Sequence, residues 1–146
     1  MIFYHYTSET DLPAILREGL TKGEIPITAD HVENGVWFTT LPDPAGHGLA
    51  DGEEISPEIC QRFGYKPGSR WKNKRAIRIT VTMPMAKLKY WPPYARKRLT
   101  PQWYATLSKV GGGARIAKTW YISFNPIPPE QFAKVERRTA SGWEAI

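Results

Sequence analysis

Tyr4-His5-Tyr6-Thr7-Ser8, read together with Gly35-Val36-Trp37-Phe38-Thr39-Thr40 further along, is the sequence on which the fold turns. Ile2 to Tyr6 is β-branched and aromatic, which favours a strand. It ends where Ser8, Thr10 and Asp11 offer side-chain oxygens to the free amides of a helix start. Leu12, Ile15 and Leu16 recur at helical spacing, Pro13 is tolerated in a first turn, and Gly19 supplies the left-handed residue that closes a helix, with Leu20 as the apolar contact after it. His5 thus lies near the end of a strand and beside a helix N-terminus, whose exposed amides favour anionic ligands. Val36 to Thr40 reads as a second short strand, bounded by Asn34-Gly35 and by Pro42-Asp43-Pro44. Alternation along it sets Trp37 on the face opposite Val36 and Phe38.

Beyond this point strands outnumber helices. Arg75 to Thr82 alternates, with Ile77, Ile79 and Val81 on one face, as a strand buried on one side requires. Met85 to Tyr90 is expected to continue the sheet after Pro84. Thr100-Pro101 is an N-cap with proline at the first helical position, opening a helix to about Val110 that Gly111-Gly112-Gly113 ends. Trp120 to Phe124 and Phe132 to Arg137 complete the strands, joined by the extended turn Asn125-Pro126-Ile127-Pro128-Pro129. Gly46 to Gly68 is glycine-rich and weakly periodic, either a loop over the site or an excursion with one helical turn around Pro57 to Phe63. The expectation is one α+β domain: a central mixed or antiparallel sheet, an early helix and one later helix. A chain of 146 residues has the size for one such core.

Twenty basic residues against fourteen acidic ones give a net charge of +6. The acids crowd the first half, while Arg70 to Arg78 and Lys87 to Arg98 form basic clusters interleaved with Trp71, Tyr90, Trp91 and Tyr94. Cations that neutralise phosphates and rings that stack on bases suit a nucleotide or nucleic-acid surface, although most such side chains are simply solvated. Cys60 is the only cysteine, which excludes an intramolecular disulfide and reads as a half-buried packing residue. His31 and His47 have no partners at metal-ligand spacing, so no metal site is expected. No apolar run is long enough for a bilayer and no basic-then-apolar leader is visible, so the chain reads as cytoplasmic, with delivery into a target cell by another route left open.

The order strand-His-x-Thr, then Ile-Leu-x-x-Gly-Leu, then Gly-Val-Trp-Phe-Thr-Thr resembles the ADP-ribosyltransferase superfamily. It looks most like the His-Tyr-Asp-type branch found among bacterial toxins, and more distantly like the poly-ADP-ribose polymerases and RNA 2′-phosphotransferases. The opening motifs carry the match, with a weaker echo from Trp120 to Val135. The resemblance implies a single ADP-ribosyltransferase-like domain that uses NAD and modifies a protein or nucleic-acid acceptor, as in toxins, phage proteins or defence systems. It further implies that His5 bonds the ribose next to the adenine and that the backbone at His5, Tyr6 and Thr7 holds the nicotinamide carboxamide. Trp37 would stack on nicotinamide, with Phe38 beside it and the hydroxyls of Thr39 and Thr40 turned to phosphates or ribose. Tryptophan stands where the family has tyrosine, so the ring is kept and the phenol is lost.

Members usually add an acidic residue near the last motif strand, whereas Ala117-Lys118-Thr119-Trp120-Tyr121 has no carboxylate. Glu130 and Asp43 are the candidates to reach the site from elsewhere. Each of these residues also has a plain structural reading: His5 and Trp37 as core, Glu130 and Asp43 as turn residues. An RNA 2′-phosphotransferase-like enzyme and a non-catalytic nucleotide-binding or nucleic-acid-binding module of the same fold are the alternatives.

Overall fold

The β-branched and aromatic stretches form a sheet, and the turn residues between them set its order. The computed structural model describes residues 1–146. In chain order the elements are β1 (Ile2–Thr7), α1 (Leu12–Glu18), β2 (Glu24–Pro26), β3 (Val32–Asn34), β4 (Val36–Thr39), α2 (Pro57–Phe63), β5 (Ile77–Thr82), β6 (Lys89–Tyr90), α3 (Trp91–Arg98), α4 (Pro101–Val110), α5 (Ala114–Ala117), β7 (Trp120–Ser123), β8 (Phe132–Thr139) and β9 (Gly142–Ala145). Seven strands make one sheet in the order β6-β7-β4-β1-β5-β8-β9, and β2 and β3 form a separate hairpin. Every registered pair is antiparallel, so of the two sheet types expected the antiparallel one is present.

Alternation distributes the core over both faces of the sheet. Phe3, Phe38, Ile77, Ile79 and Val81 point to one face and pack against Leu12 of α1. Trp91, Ala95 and Ile122 bury the other face under α3 and α4, together with Ile25 of the hairpin. Trp37 lies on that second side, opposite Val36 and Phe38 as alternation requires.

Several expectations are corrected. Four helices follow α1, where one later helix was expected. The missed α3 begins Trp91-Pro92-Pro93, and prolines in a first turn cost no hydrogen bond because the amides there have no intrahelical partner. Only Lys89 and Tyr90 of the Met85 to Tyr90 segment join the sheet, since Met85–Lys87 forms a 3-10 turn. Pro57–Phe63 is a full helix, capped by Ser56 and closed by Gly64 at φ 76°. Cys60 within it is buried rather than half-buried. Gly19 takes a positive φ, 88°, but its ψ of −173° is extended rather than the left-handed helical conformation expected, and its neighbour Leu20 exchanges backbone hydrogen bonds with Ile127.

Candidate active-site cleft between β1 and β4

β1 and β4 share one registered pair, Tyr4↔Thr39, whereas β1 and β5 pair along all six residues of β1. The sheet therefore opens between β1 and β4, and a cleft of about 1010 Å³ occupies the gap, taking side chains from both faces. Small-molecule sites are usually roughly 300–1,000 Å³, so this cleft has room for an extended ligand. His5, Tyr6, Thr7, Trp37, Phe38 and Thr39 all line it.

His5 closes the gap in a way that fixes its tautomer. Its Nδ1 lies 2.8 Å from the carbonyl oxygen of Trp37. A carbonyl only accepts, so Nδ1 carries the proton and Nε2 is a free acceptor. Desolvation by burial lowers the His5 pKa below its ordinary value and outweighs the opposing hydrogen bond, keeping the ring neutral near pH 7. The Trp37 carbonyl, which a longer β1–β4 ladder would engage, is satisfied by this side chain instead.

Three indoles build the adjacent wall. Trp37 stands edge-to-face against Trp91 at 4.7 Å and against Trp120 at 5.7 Å, and its N–H donates to Glu24 O at 2.8 Å. Trp120 can lie there only because residue 111 is glycine: a Cβ at Gly111 would sit 1.9 Å from Cη2 of the Trp120 ring. The Trp120 N–H donates to Nδ1 of His47 at 3.1 Å, so the neutral His47 carries its proton on Nε2. Burial lowers the His47 pKa as well. His47 Nε2 and Trp91 Nε1 are buried N–H donors of the cleft wall with no protein acceptor, an uncommon state for buried polar atoms. Gly112, at φ 109°, comes so close to Gly46 O that a Cβ would lie 1.6 Å from it, which docks the loop carrying His47 on the end of α4.

Charge in the cleft is arranged around Asp11. Ser8 Oγ donates to its carboxylate at 2.8 Å, and Lys72 and Lys74 approach at 3.1 and 3.3 Å. Desolvation opposes the charge, but these hydrogen bonds together prevail and lower the carboxyl to about 2. Of the three side-chain oxygens expected to serve the helix start, Ser8 Oγ accepts the Asp11 amide, whereas the Asp11 carboxylate makes no cap bond. Glu18 and Glu24 also line the cleft, and Glu18 is paired with Arg17. Glu24 has no cation within ion-pair distance.

Of the other residues singled out in the sequence, Thr40, Asp43 and Glu130 lie outside the cleft, whereas Tyr6 and Thr39 line it through groups already bonded within the protein. Thr40 is outside the cleft wall, with its amide bonded to Thr119 O at 3.2 Å, while Thr39 Oγ1 meets Thr119 Oγ1 at 2.8 Å. Tyr6 donates its hydroxyl to Leu41 O at 2.7 Å, and burial pushes that hydroxyl above its ordinary pKa. Glu130 sits exposed on the 3-10 turn before β8 and takes no part in the cleft. Asp43 is a turn-former, its Oδ1 accepting the Ala45 amide at 2.8 Å. Neither supplies the acid that the resemblance asks for. Glu24 was not singled out, because the cleft depends on a hairpin whose three-residue strands are too short to show a period.

No group of three or more His, Cys, Asp or Glu residues is arranged to hold a metal, and no helix is long and apolar enough to cross a membrane. No protein-family model, curated protein or solved structure matches the chain.

Proposed function

We propose that the protein binds NAD in the cleft between β1 and β4 and transfers its ADP-ribose to an acceptor, or to water. The observation that carries this reading is His5: a neutral imidazole whose Nδ1–H is held by Trp37 O and whose Nε2 is free to accept a ribose hydroxyl. Its neighbours suit the rest of such a ligand. The indoles of Trp37 and Trp120 offer apolar walls for a flat leaving group, and Lys22, Lys72 and Lys74 bring positive charge to the same cleft.

The reaction breaks the bond between the ribose anomeric carbon and the nicotinamide nitrogen, and the electron pair leaves with nicotinamide. The acceptor's nucleophilic atom bonds that carbon and gives up its proton. The positive charge that develops on the sugar is best met by a carboxylate, and Glu24 is the one acidic side chain of the cleft without a cation beside it. In this reading Glu24 replaces Glu130 as the acid.

Nicotinamide release from NAD by the purified chain is the direct test. Release by the wild type, its loss in His5→Ala, and a drop of about 100-fold or more in Glu24→Gln with NAD binding retained are the expected results. Absence of release with or without added acceptors refutes the enzymatic reading, and unchanged release in Glu24→Gln removes Glu24 from it.

A further inference from the structure

Fifteen of the twenty lysines and arginines lie between Ile59 and Pro129, a run that contains no aspartate or glutamate. That run supplies β5, β6, α3, α4, α5 and β7, so these elements carry no carboxylate of their own. From Lys87 to Lys118 only Arg98 has an acidic partner, Glu33 of β3. Lys87, Lys89, Arg96, Lys97 and Lys118 are exposed and unpaired.

At the β6 edge of the sheet these charges meet an aromatic surface. A second, smaller cleft of about 290 Å³ is lined by Lys87, Lys89, Phe124 and Asn125, with Ile122 as its floor. Lys89 is in register with Ile122, which puts it on the same face of the sheet as Phe124, two residues further along. Phe124 keeps 40 % of its surface exposed although its ring packs against Tyr94 at 5.5 Å. The Asn125 side-chain amide makes no hydrogen bond within the protein; only the residue's backbone carbonyl is engaged, accepting from Ser123 Oγ at 2.6 Å.

We propose that this edge docks a single strand of nucleic acid, with one base stacked on Phe124, its edge read by Asn125, and the flanking phosphates held by Lys87 and Lys89. Charge complementarity decides the occupant's sign, and the open ring decides its kind. A polyanion without exposed bases would satisfy the lysines but leave Phe124 and Asn125 unused, and a duplex keeps its base faces stacked. The surface stands apart from the β1–β4 cleft, and its test needs no NAD. Only its role as the dock for an acceptor rests on the transferase reading.

The test is fluorescence anisotropy of labelled oligo(dT) and oligo(U) with the full chain over a range of salt. The wild type is expected to bind both at low salt. Phe124→Ala is expected to weaken binding about 10-fold with the salt slope unchanged. Lys87→Ala with Lys89→Ala is expected to lower that slope by about 0.7 per lysine. Phe124→Leu keeps an apolar contact for Tyr94 and removes the aromatic face, so it should weaken binding like Phe124→Ala, with an unchanged thermal midpoint. Arg17→Ala, on α1 across the sheet, should bind as the wild type does. The proposal is overturned by no binding at low salt, by Phe124 variants that bind like the wild type, or by Arg17→Ala losing as much as the lysine variant.

Discussion

His5 joins fold and proposed function, because the hydrogen bond that fills the gap between β1 and β4 also sets its tautomer. Its lowered pKa makes the fold sensitive to mild acid. In the unfolded chain the ring takes up a proton below about pH 6.5, whereas in the fold it resists until lower pH, so the unfolded state binds more protons and stability falls as pH drops. His47 acts in the same direction. The thermal midpoint is expected to fall between about pH 7.5 and pH 5.5, and to fall less in His5→Asn, whose amide can still donate to Trp37 O. An identical pH profile in the variant contradicts this assignment. Gly111 makes a second prediction at this scale. Its φ of −83° suits any residue, so the cost of Gly111→Ala is purely steric, through the Trp120 ring. Overpacking of this kind costs about 1–3 kcal/mol, visible in urea unfolding, and displacement of Trp120 should alter the near-ultraviolet dichroism of the indoles.

Among the elements, β5 is bound to β8 by more than its ladder. Arg78 donates through Nε and Nη2 to Glu136 Oε1 at 3.2 and 3.0 Å and through Nη1 to Pro42 O at 2.6 Å, and its guanidinium lies 4.3 Å from the centre of the Trp143 ring. Both side chains are little exposed, 14 % and 12 %, so removing one partner leaves a charge poorly solvated. Glu136→Ala is expected to cost about 3 kcal/mol in urea unfolding. A loss no larger than that of an exposed pair such as Arg17–Glu18 would show that water replaces the carboxylate.

Elements whose residues alternate or repeat over a full turn could be read from the chain. β1, α1, β4, β5, α4, β7 and β8 fall within a residue or two of their expected places, because side-chain period and capping chemistry are local. β2, β3, β9 and α5, pieces of three or four residues without flanking motifs, were not read from the chain, and β6 was read only as part of the longer segment Met85 to Tyr90. α3 was hidden by prolines that read as breakers and act as a first turn.

For the molecule as a whole, long-range pairing makes the site, and this is where the sequence is least informative. The motif order brought His5, Tyr6, Thr7, Trp37, Phe38 and Thr39 to attention, and all six line one cleft. The opening of the sheet beside a single β1–β4 pair, the Trp91 and Trp120 walls, His47 and Glu24 come together only through residues distant in the chain. Charge is divided as well: three carboxylates (Asp11, Glu18, Glu24) and three lysines (Lys22, Lys72, Lys74) balance in the cleft, whereas unpaired cations cover the β6 edge.

The most direct measurement is a titration of NAD into the purified chain, following indole fluorescence and the thermal midpoint, with His5→Ala and Trp37→Ala alongside. Saturable quenching and a raised midpoint are expected in the wild type, both lost in the two variants, because a ligand that binds only the folded state stabilises it by mass action. No response at millimolar NAD, or an equal response in both variants, would contradict a dinucleotide site between β1 and β4.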